Sequence, residues 1–171
     1  MALPSFSDIL RRYELEPHPE GGFYRRTYCS AGQIPAQALP PEFGTARPYG
    51  TAILYLLGPG DKSRLHRIRQ DEIWHFYLGG PLRLVILDPK GKFSDVLMGS
   101  DIMAGQAVQF TVPKGCWFGA KPSADSPYAF VGCTVAPGFD FADFEMGERA
   151  QLLRDYPALQ HIVTAFTDEP A

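Results

Sequence analysis

The sequence predicts a mainly β protein, built as an antiparallel sandwich or barrel, with a short helix near the N-terminus and helices at the C-terminus. From position 51 onward, short β-prone runs such as TAILYLL, LRLVIL and YAFVGCTV alternate with turns that contain Gly or Pro. Helical periodicity is confined to the two ends of the chain. The length of 171 residues, with 45% hydrophobic residues, suits one domain with a single core.

The first part of this domain, residues 1–50, is predicted to contain a helix, a strand and a loop. Ser5 and Asp8 have the spacing of a capping box, so a short amphipathic helix is expected to run to Tyr13. A strand is predicted from Phe23 to Cys29. The stretch from 31 to 48 contains four prolines and little periodicity, which indicates a long loop.

The remaining residues form a barrel core, 51–140, and a helical tail, 141–171. Apolar residues at helical spacing extend from Phe144 to Phe166, and Pro157 is expected to divide them into two helices. The three cysteines, Cys29, Cys116 and Cys133, form no CxxC pair, so buried reduced thiols are predicted.

Charge and hydropathy exclude several classes of partner. The net charge is −3 and the basic residues are scattered, so nothing provides the basic stripe that nucleic-acid binding requires. The N-terminal segment lacks the apolar core of a signal peptide, and no stretch approaches the roughly 20 apolar residues of a membrane span. A cytoplasmic protein without a membrane or nucleic-acid partner is predicted.

Strand alternation selects candidate site residues in the region 63–79. Successive side chains of a strand face opposite ways, so Arg64 and His66 are predicted to share a face, and so are Glu72 and Trp74. His75 is then expected to point away from Glu72. Polar groups that point into a small barrel need a function or a partner, which makes Arg64, His66 and Glu72 candidates for a site.

Several strings in the chain resemble the cupin superfamily. The segment GDKSRLHRIRQDEIWHFYLG, from Gly60 to Gly79, is similar to the first cupin motif, and the Pro-x-Gly at 113–115 is similar to the second. EPHPEGGFYRRTY, DEIWHFYLGGPL and GCTVAPGFDFADFE together resemble a single-domain cupin branch catalogued as a domain of unknown function. The resemblance implies an antiparallel double-sheet jelly-roll barrel, usually a homodimer, that binds a small molecule inside.

The resemblance also bears on cofactors, because the general cupin metal site uses three histidines and a glutamate. His66 and Glu72 match two of these positions, whereas Ile68 and Phe118 stand where the other histidines are expected. Isoleucine and phenylalanine offer no metal ligand, so no cofactor is predicted. A divalent metal remains the alternative, with His75 as a third ligand if a bulge turns it inward.

A metal-independent mechanism is implied by a second resemblance within the same superfamily. Arg-Leu-His at 64–66 is similar to the Arg-Gly-Leu-His strand of sugar-nucleotide epimerases, which use a histidine base and a tyrosine acid. His66 is therefore the predicted base, Tyr55 on the adjacent strand the acid, and Glu72 the group that orients the imidazole. The predicted ligand-binding residues are Arg25 and Arg64 for an anion, Trp74 and Trp117 for stacking, and His75 and Phe118 beside them.

Three functions remain open from the sequence. The first is metal-independent isomerase or epimerase chemistry on a sugar, nucleotide or organic acid. The second is a metal-dependent isomerase or dioxygenase, and the third is a non-catalytic binding protein. His18 and Glu20, in the string PHPEGGFY, are expected only to precede a strand, with Gly21-Gly22 permitting a close backbone turn.

Overall fold

The computed structural model of the chain describes residues 3–169 as two antiparallel sheets with helices at either end. The helices are α1 (Phe6–Tyr13), α2 (Arg149–Asp155) and α3 (Gln160–Phe166). The strands are β1 (Glu16–Pro17), β2 (Phe23–Cys29), β3 (Gln33–Ile34), β4 (Arg47–Pro48), β5 (Thr51–Leu57), β6 (Ser63–Arg67), β7 (Asp71–Gly79), β8 (Leu82–Leu87), β9 (Phe93–Met98), β10 (Gln109–Val112), β11 (Trp117–Pro122), β12 (Ala129–Ala136) and β13 (Glu145–Met146).

The two large sheets confirm the predicted jelly-roll architecture. One has six strands in the order β1-β2-β5-β12-β7-β10, and the other has five in the order β13-β6-β11-β8-β9. β3 and β4 form a separate pair. Within residues 3–169 no named strand belongs to both large sheets, so the barrel is open along its sides.

The main apolar core lies between the two sheets because strand alternation sends one set of side chains inward. On β5, Thr51, Ile53 and Tyr55 point into the interior, while Leu54 and Leu56 point outward under α1. The interior set continues on β7, β11 and β12 with the buried side chains of Trp74, Phe118, Val131, Cys133 and Val135.

The N-terminal helix begins where the capping box predicts. The Ser5 hydroxyl accepts a hydrogen bond from the backbone N–H of Asp8, and the Asp8 carboxylate accepts one from the backbone N–H of Ser5, each at 3.2 Å. Ile9 on the inner side of the helix packs with Leu56 and Phe130. The helix therefore covers one end of the outer face of the six-stranded sheet.

The C-terminal helices also match the prediction, but the residues before them do not. α2 and α3 are separated by a 3-10 turn that starts at Pro157, and they pack Leu152 and Val163 on the outer face of the five-stranded sheet. Glu145–Met146, predicted as helix, instead pairs with Arg67 and His66, because β6 leaves an open edge there. No helix among residues 3–169 is long and apolar enough to cross a membrane.

The proline-rich segment is more ordered than a plain loop. It contains the β3–β4 pair and two short 3-10 helices, Ala36–Ala38 and Pro41–Phe43. Its far end is fixed by Arg47, whose fully buried guanidinium bonds the Asp143 carboxylate at 2.6 and 2.7 Å. Of the cysteines, Cys116 and Cys133 are buried as expected, whereas Cys29 is exposed because it ends the exposed edge of β2.

Candidate active site

A narrow cavity opens between the two sheets near the N-terminal strands. The unfilled space out to its mouth is about 540 Å³, but only about 40 Å³ of it admits the centre of a water molecule. That inner space holds roughly three waters. The lining combines ionisable and apolar side chains: His18, Glu20, Tyr24, Arg26, Thr51, Ile53, Tyr55, His66, Ile68, Glu72, Cys133, Val135, Phe139 and Phe144.

A β-bulge in β6 decides which of its side chains reach the interior. β11 pairs Phe118 with His66 but Ala120 with Ser63, so two positions on β11 span three on β6. Ser63 and His66 therefore both reach the interior, where each contacts Glu20. The prediction that Arg64 and His66 share a face fails because of this extra residue: Arg64 turns out to bond Asp168 at 2.7 Å.

Glu20 is at the centre of the polar part of the cavity. Its side chain is buried, and one carboxylate oxygen accepts a hydrogen bond from the Ser63 hydroxyl at 2.7 Å. The other oxygen lies 3.0 Å from Nε2 of His66 and 3.5 Å from Nδ1 of His18. The Ser63 hydroxyl and the His66 imidazole are the partners that this buried carboxylate requires.

The turn that carries Glu20 inward depends on Gly21. Its φ is +114°, and a Cβ there would lie 2.1 Å from the carbonyl oxygen of Lys62. The Glu20 carbonyl accepts a hydrogen bond from the backbone N–H of Arg64 at 2.9 Å. The N-terminal segment thus runs directly against β6, and only glycine allows this approach.

The hydrogen bonds of His66 place a proton between it and Glu20. Nδ1 lies 2.7 Å from the carbonyl oxygen of Arg64, which can only accept, so Nδ1 carries a hydrogen. Nε2 faces the Glu20 carboxylate, and one proton shared across that contact satisfies both groups. The ring is held between Phe118 and Phe144, with centroids 4.1 and 5.3 Å away.

Glu72 lines the same cavity and has a strongly raised pKa. Burial, aided by the nearby charge of Glu20, raises the pKa of the Glu72 carboxyl from 4.5 to about 8. Burial also raises the pKa of the adjacent Cys133 thiol well above its usual value, with the Glu72 charge acting in the same direction. At neutral pH both groups are protonated, so Glu72 is a neutral carboxylic acid.

Tyr55 and His18 complete the polar wall. The Tyr55 hydroxyl donates to the Gly21 carbonyl at 2.6 Å, and burial raises the pKa of this phenol well above its usual value. Burial lowers the pKa of His18, whose Nδ1 accepts a hydrogen bond from the backbone N–H of Glu20 at 3.2 Å. His18 is accordingly neutral with its hydrogen on Nε2.

The structure brings together the three predicted catalytic residues, His66, Glu72 and Tyr55, on the wall of one cavity. The predicted ligand-binding residues lie elsewhere. Arg25 pairs with Glu14, Arg64 pairs with Asp168, and His75 bonds Thr134 and Gln109 on the other face of β7. Trp74 and Phe118 are in the core beside the cavity, and Trp117 packs outside the sheet under Arg67.

The donor set does not fit the metal site that the cupin fold suggests. Among the described residues no group of three or more His, Cys, Asp or Glu side chains is arranged to hold a metal ion. Both ring nitrogens of His66 are engaged, by Arg64 and Glu20, and Ile68 and Phe118 have no donor atom. His75 does not turn inward, because the irregularity in the pairing of β7 lies beyond it, between Phe76 and Leu78.

Sequence reasoning missed His18, Glu20 and Arg26. All three lie in or next to the string PHPEGGFYRR, and alternation along β2 from Tyr24 places Arg26, not Arg25, toward the cavity. The signal available was the adjacent glycine pair after Glu20. It indicates a close backbone contact, but the sequence does not say that β6 is the partner.

An open jelly-roll with an internal polar cavity defines a cupin-type protein, and comparison with known families agrees. The family model described as "Cupin superfamily (DUF985)" matches residues 7–147, and the chain belongs to this family. The resemblance inferred from the sequence strings is thereby confirmed.

The chain is similar to three proteins over most of its length. A hypothetical protein from Leishmania major superimposes with a TM-score of 0.89 at 32% identity, over 97% of this chain and 100% of that one. Protein SO0799 from Shewanella oneidensis gives 0.87 at 36%, over 98% and 100%. The uncharacterized protein YML079W of Saccharomyces cerevisiae is 26% identical over 93% of this chain and 80% of its own length.

A more distant similarity concerns the fold alone. Oxalate decarboxylase OxdC of Bacillus subtilis superimposes with a TM-score of 0.54 at 15% identity, over 98% of this chain and 40% of that chain. At this identity one barrel hosts many chemistries, so no activity is transferred from it.

Proposed function

We propose that this cupin binds a small polar molecule in the cavity and moves a proton at a carbon next to a carbonyl group, as isomerases and epimerases do. The observation that carries the proposal is an acid and a base on one cavity wall. Burial raises the pKa of the Glu72 carboxyl to about 8, so this group can donate a proton near pH 7. The Glu20 carboxylate lies 3.0 Å from Nε2 of His66 and is the group that accepts a proton. Two carboxyl groups held in different protonation states provide both halves of acid–base catalysis.

Glu20 is the base in this proposal. Its carboxylate is oriented by the Ser63 hydroxyl and by Nε2 of His66, and it is the group whose charge raises the pKa of Glu72. The two ring nitrogens of His66 contact the Arg64 carbonyl and the Glu20 carboxylate. The imidazole therefore positions and stabilises the carboxylate, and it is not the sole acceptor of the substrate proton.

Glu72 is the proton donor, in place of Tyr55. The Tyr55 proton is bonded to the Gly21 carbonyl, and burial raises the pKa of that phenol well above its usual value. A carboxyl with a pKa of about 8 releases its proton far more readily near pH 7.

The proposed reaction transfers protons only between the substrate and these two carboxyl groups. Glu20 takes the proton from the carbon, the electron pair moves to the carbonyl, and Glu72 gives its proton to the carbonyl oxygen, which forms an enediol. Glu20 then returns its proton to the former carbonyl carbon while Glu72 takes back a proton from the hydroxyl of the other carbon, which gives the isomer and restores both groups. If the enediol turns in the cavity, Glu20 returns its proton to the opposite face of the original carbon while Glu72 takes back the enediol proton, which gives the epimer. No metal or redox partner takes part in this sequence.

The size of the cavity restricts the substrate. An inner space of about 40 Å³ is too small for a whole sugar nucleotide, so only a compact sugar-like or acid-like portion enters. The substrate class in this proposal is therefore a short hydroxy-carbonyl compound rather than a nucleotide.

Deuterium exchange tests the chemistry across this whole class of compounds. The protein is incubated in D₂O with a panel of short aldoses, ketoses and hydroxy acids, and proton NMR follows the loss of the C–H signal next to the carbonyl. Glu72→Gln and Glu20→Gln are expected to slow exchange by about a hundred- to ten-thousand-fold, which is the usual contribution of a general acid or base.

Glu148→Gln is the matched control, since this carboxylate is exposed at the start of α2 and does not line the cavity. It should exchange as fast as the wild type. Exchange that is absent with every compound, although some of them bind, supports the non-catalytic function and contradicts the proposal.

A further inference from the structure

We propose that the molecule bound in the cavity carries a single carboxylate, which Arg26 binds at the cavity mouth. This inference rests on the proposed function and specifies its substrate class as short acids with a hydroxy-carbonyl portion, for which simple hydroxy acids serve as binding probes. It follows from the placement of Arg26, from its lack of a protein partner, and from the charge of the cavity interior.

Arg26 is at the entrance because of its position on β2. The strand pairs with β5, where Arg26 is opposite Ile53, and both side chains line the cavity. Arg26 is also exposed, so it is at the boundary between the cavity and solvent. Its neighbour Arg25 points to the other face, where it contacts Glu14 and the Tyr13 carbonyl.

Arg26 lines the cavity, and its guanidinium has no partner among the described residues. Within residues 3–169 it forms no ion pair and no side-chain hydrogen bond. The arginines that do pair with a carboxylate are Arg11, Arg25, Arg47, Arg64, Arg67, Arg69, Arg83 and Arg149. An unpaired guanidinium on the wall of a site is suited to an anionic ligand group.

The charges around the cavity favour a monoanionic carboxylate over a phosphate. The planar fork of a guanidinium binds either a carboxylate or a phosphate in two parallel hydrogen bonds, so charge decides between them. Arg26 supplies one positive charge and Glu20 lines the same cavity, so a dianion is balanced less completely than a monoanion. His18 adds no compensating charge, because burial lowers its pKa.

The two ends of the cavity then bind two ends of one molecule. Arg26 holds the carboxylate near solvent, and the hydroxyl- or carbonyl-bearing carbons extend inward toward Glu20 and Glu72. The narrow inner space accepts such a chain but not a bulky group.

Isothermal titration calorimetry on the full chain tests this assignment. The probes are glycerate, threonate and gluconate, each matched with its neutral amide, and glycerol 3-phosphate for the phosphate arm. We expect at least one acid to bind about tenfold or more tightly than its amide, as a charge-assisted pair predicts. Arg26→Gln should remove that preference, whereas Arg25→Gln, next to it on the outer face, should keep it.

Several results would overturn the inference: no binding by any of the acids, equal binding of acid and amide, tighter binding of the phosphate, or loss of preference in Arg25→Gln as well. These results can be distinguished from a failure of the proposed function. Deuterium exchange on a neutral sugar that needs Glu72 but not Arg26 leaves the function standing and removes the inference. Acid binding that needs Arg26 but is accompanied by no deuterium exchange supports the inference and contradicts the proposed function.

Discussion

At the scale of single residues, the site contains two buried carboxyl groups with different surroundings. Glu20 has Ser63 and His66 as partners within 3.0 Å, whereas burial dominates the environment of Glu72. The surroundings of Glu72 therefore favour its neutral form. The difference comes from neighbours, not from the residue type.

The raised pKa of Glu72 predicts how stability changes with pH. In the unfolded chain this carboxyl titrates near 4.5, but in the folded protein near 8. Between these values the folded state holds a proton that the unfolded chain has lost, so the free energy of unfolding falls as pH rises from about 4.5 to about 8. The cost is about 1.4 kcal/mol per pKa unit.

Glu72→Gln removes the titrating group. Between about pH 4.5 and pH 8, the free energy of unfolding of the variant is therefore expected to fall by several kcal/mol less than that of the wild type. Urea unfolding at a series of pH values measures it. Glu148→Gln should retain the wild-type dependence, and an unchanged dependence in Glu72→Gln would show that the buried carboxyl titrates normally.

Gly21 gives a prediction about the position of Glu20. Gly21→Ala forces a Cβ to within 2.1 Å of the Lys62 carbonyl oxygen, in addition to the strain of a φ of +114°. We expect a loss of about 2–5 kcal/mol in the free energy of unfolding. Gly60→Ala is the control: its φ is +82°, but no atom lies within 4 Å of the added Cβ, so about 1–2 kcal/mol is expected. Equal losses in the two variants would contradict the close contact.

At the scale of elements, the bulge in β6 selects the polar groups of the cavity. Without it, Arg64 would follow the alternation set by His66, and Ser63 would face the helices. With it, Ser63 reaches Glu20 and Arg64 joins Lys62 in pairing with Asp168. The inserted residue therefore places the Ser63 hydroxyl in the interior, where a regular strand would place the Arg64 guanidinium.

The proline-rich segment is attached to the barrel by one buried ion pair, and this gives another prediction. Asp143→Ala leaves the fully buried Arg47 guanidinium without its partner, so a loss of about 3–5 kcal/mol in unfolding free energy is expected. Asp95→Ala breaks the exposed pair with Arg83 and should cost less than about 1 kcal/mol. Thermal or urea unfolding compares the two variants, and similar losses would refute the structural role of the buried pair.

At the scale of the whole molecule, we propose the homodimer that the family resemblance implies. The β2 edge from Arg25 to Cys29 is exposed, and among the described strands only β5 pairs with it there. An exposed edge strand of this kind readily pairs with another chain. Sedimentation velocity should give a mass near twice 18.9 kDa, and a monomer at all concentrations would contradict the proposal.

The architecture could be predicted from the sequence because its signals are local. Alternation and turn residues located β2 at its observed bounds, and the Ser5–Asp8 spacing located the start of α1. The helical pattern predicted from Phe144 failed over residues 144–148, where Glu145–Met146 pairs with the open edge of β6 and the helix begins only at Arg149. Such edges are tertiary features and leave no mark in the local sequence.

The site was less predictable, because its polar groups meet through long-range contacts. His66 and Glu72 matched a motif, and Tyr55 followed from its strand. The turn at Gly21 places Glu20 in the cavity against β6, and the bulge in β6 turns Arg64 away from the cavity. Neither event can be inferred from periodicity alone, since alternation assumes a regular strand.

The route of the chain around the cavity has a consequence for biosynthesis. His18 and Glu20 are synthesised before the barrel strands β5 to β12, whereas Phe139 and Phe144, which line the same cavity, follow β12. Until those two phenylalanines are made, the Glu20 carboxylate is not enclosed and the nascent chain has no complete cavity. A ligand can therefore stabilise the finished barrel but cannot guide the folding of its first strands.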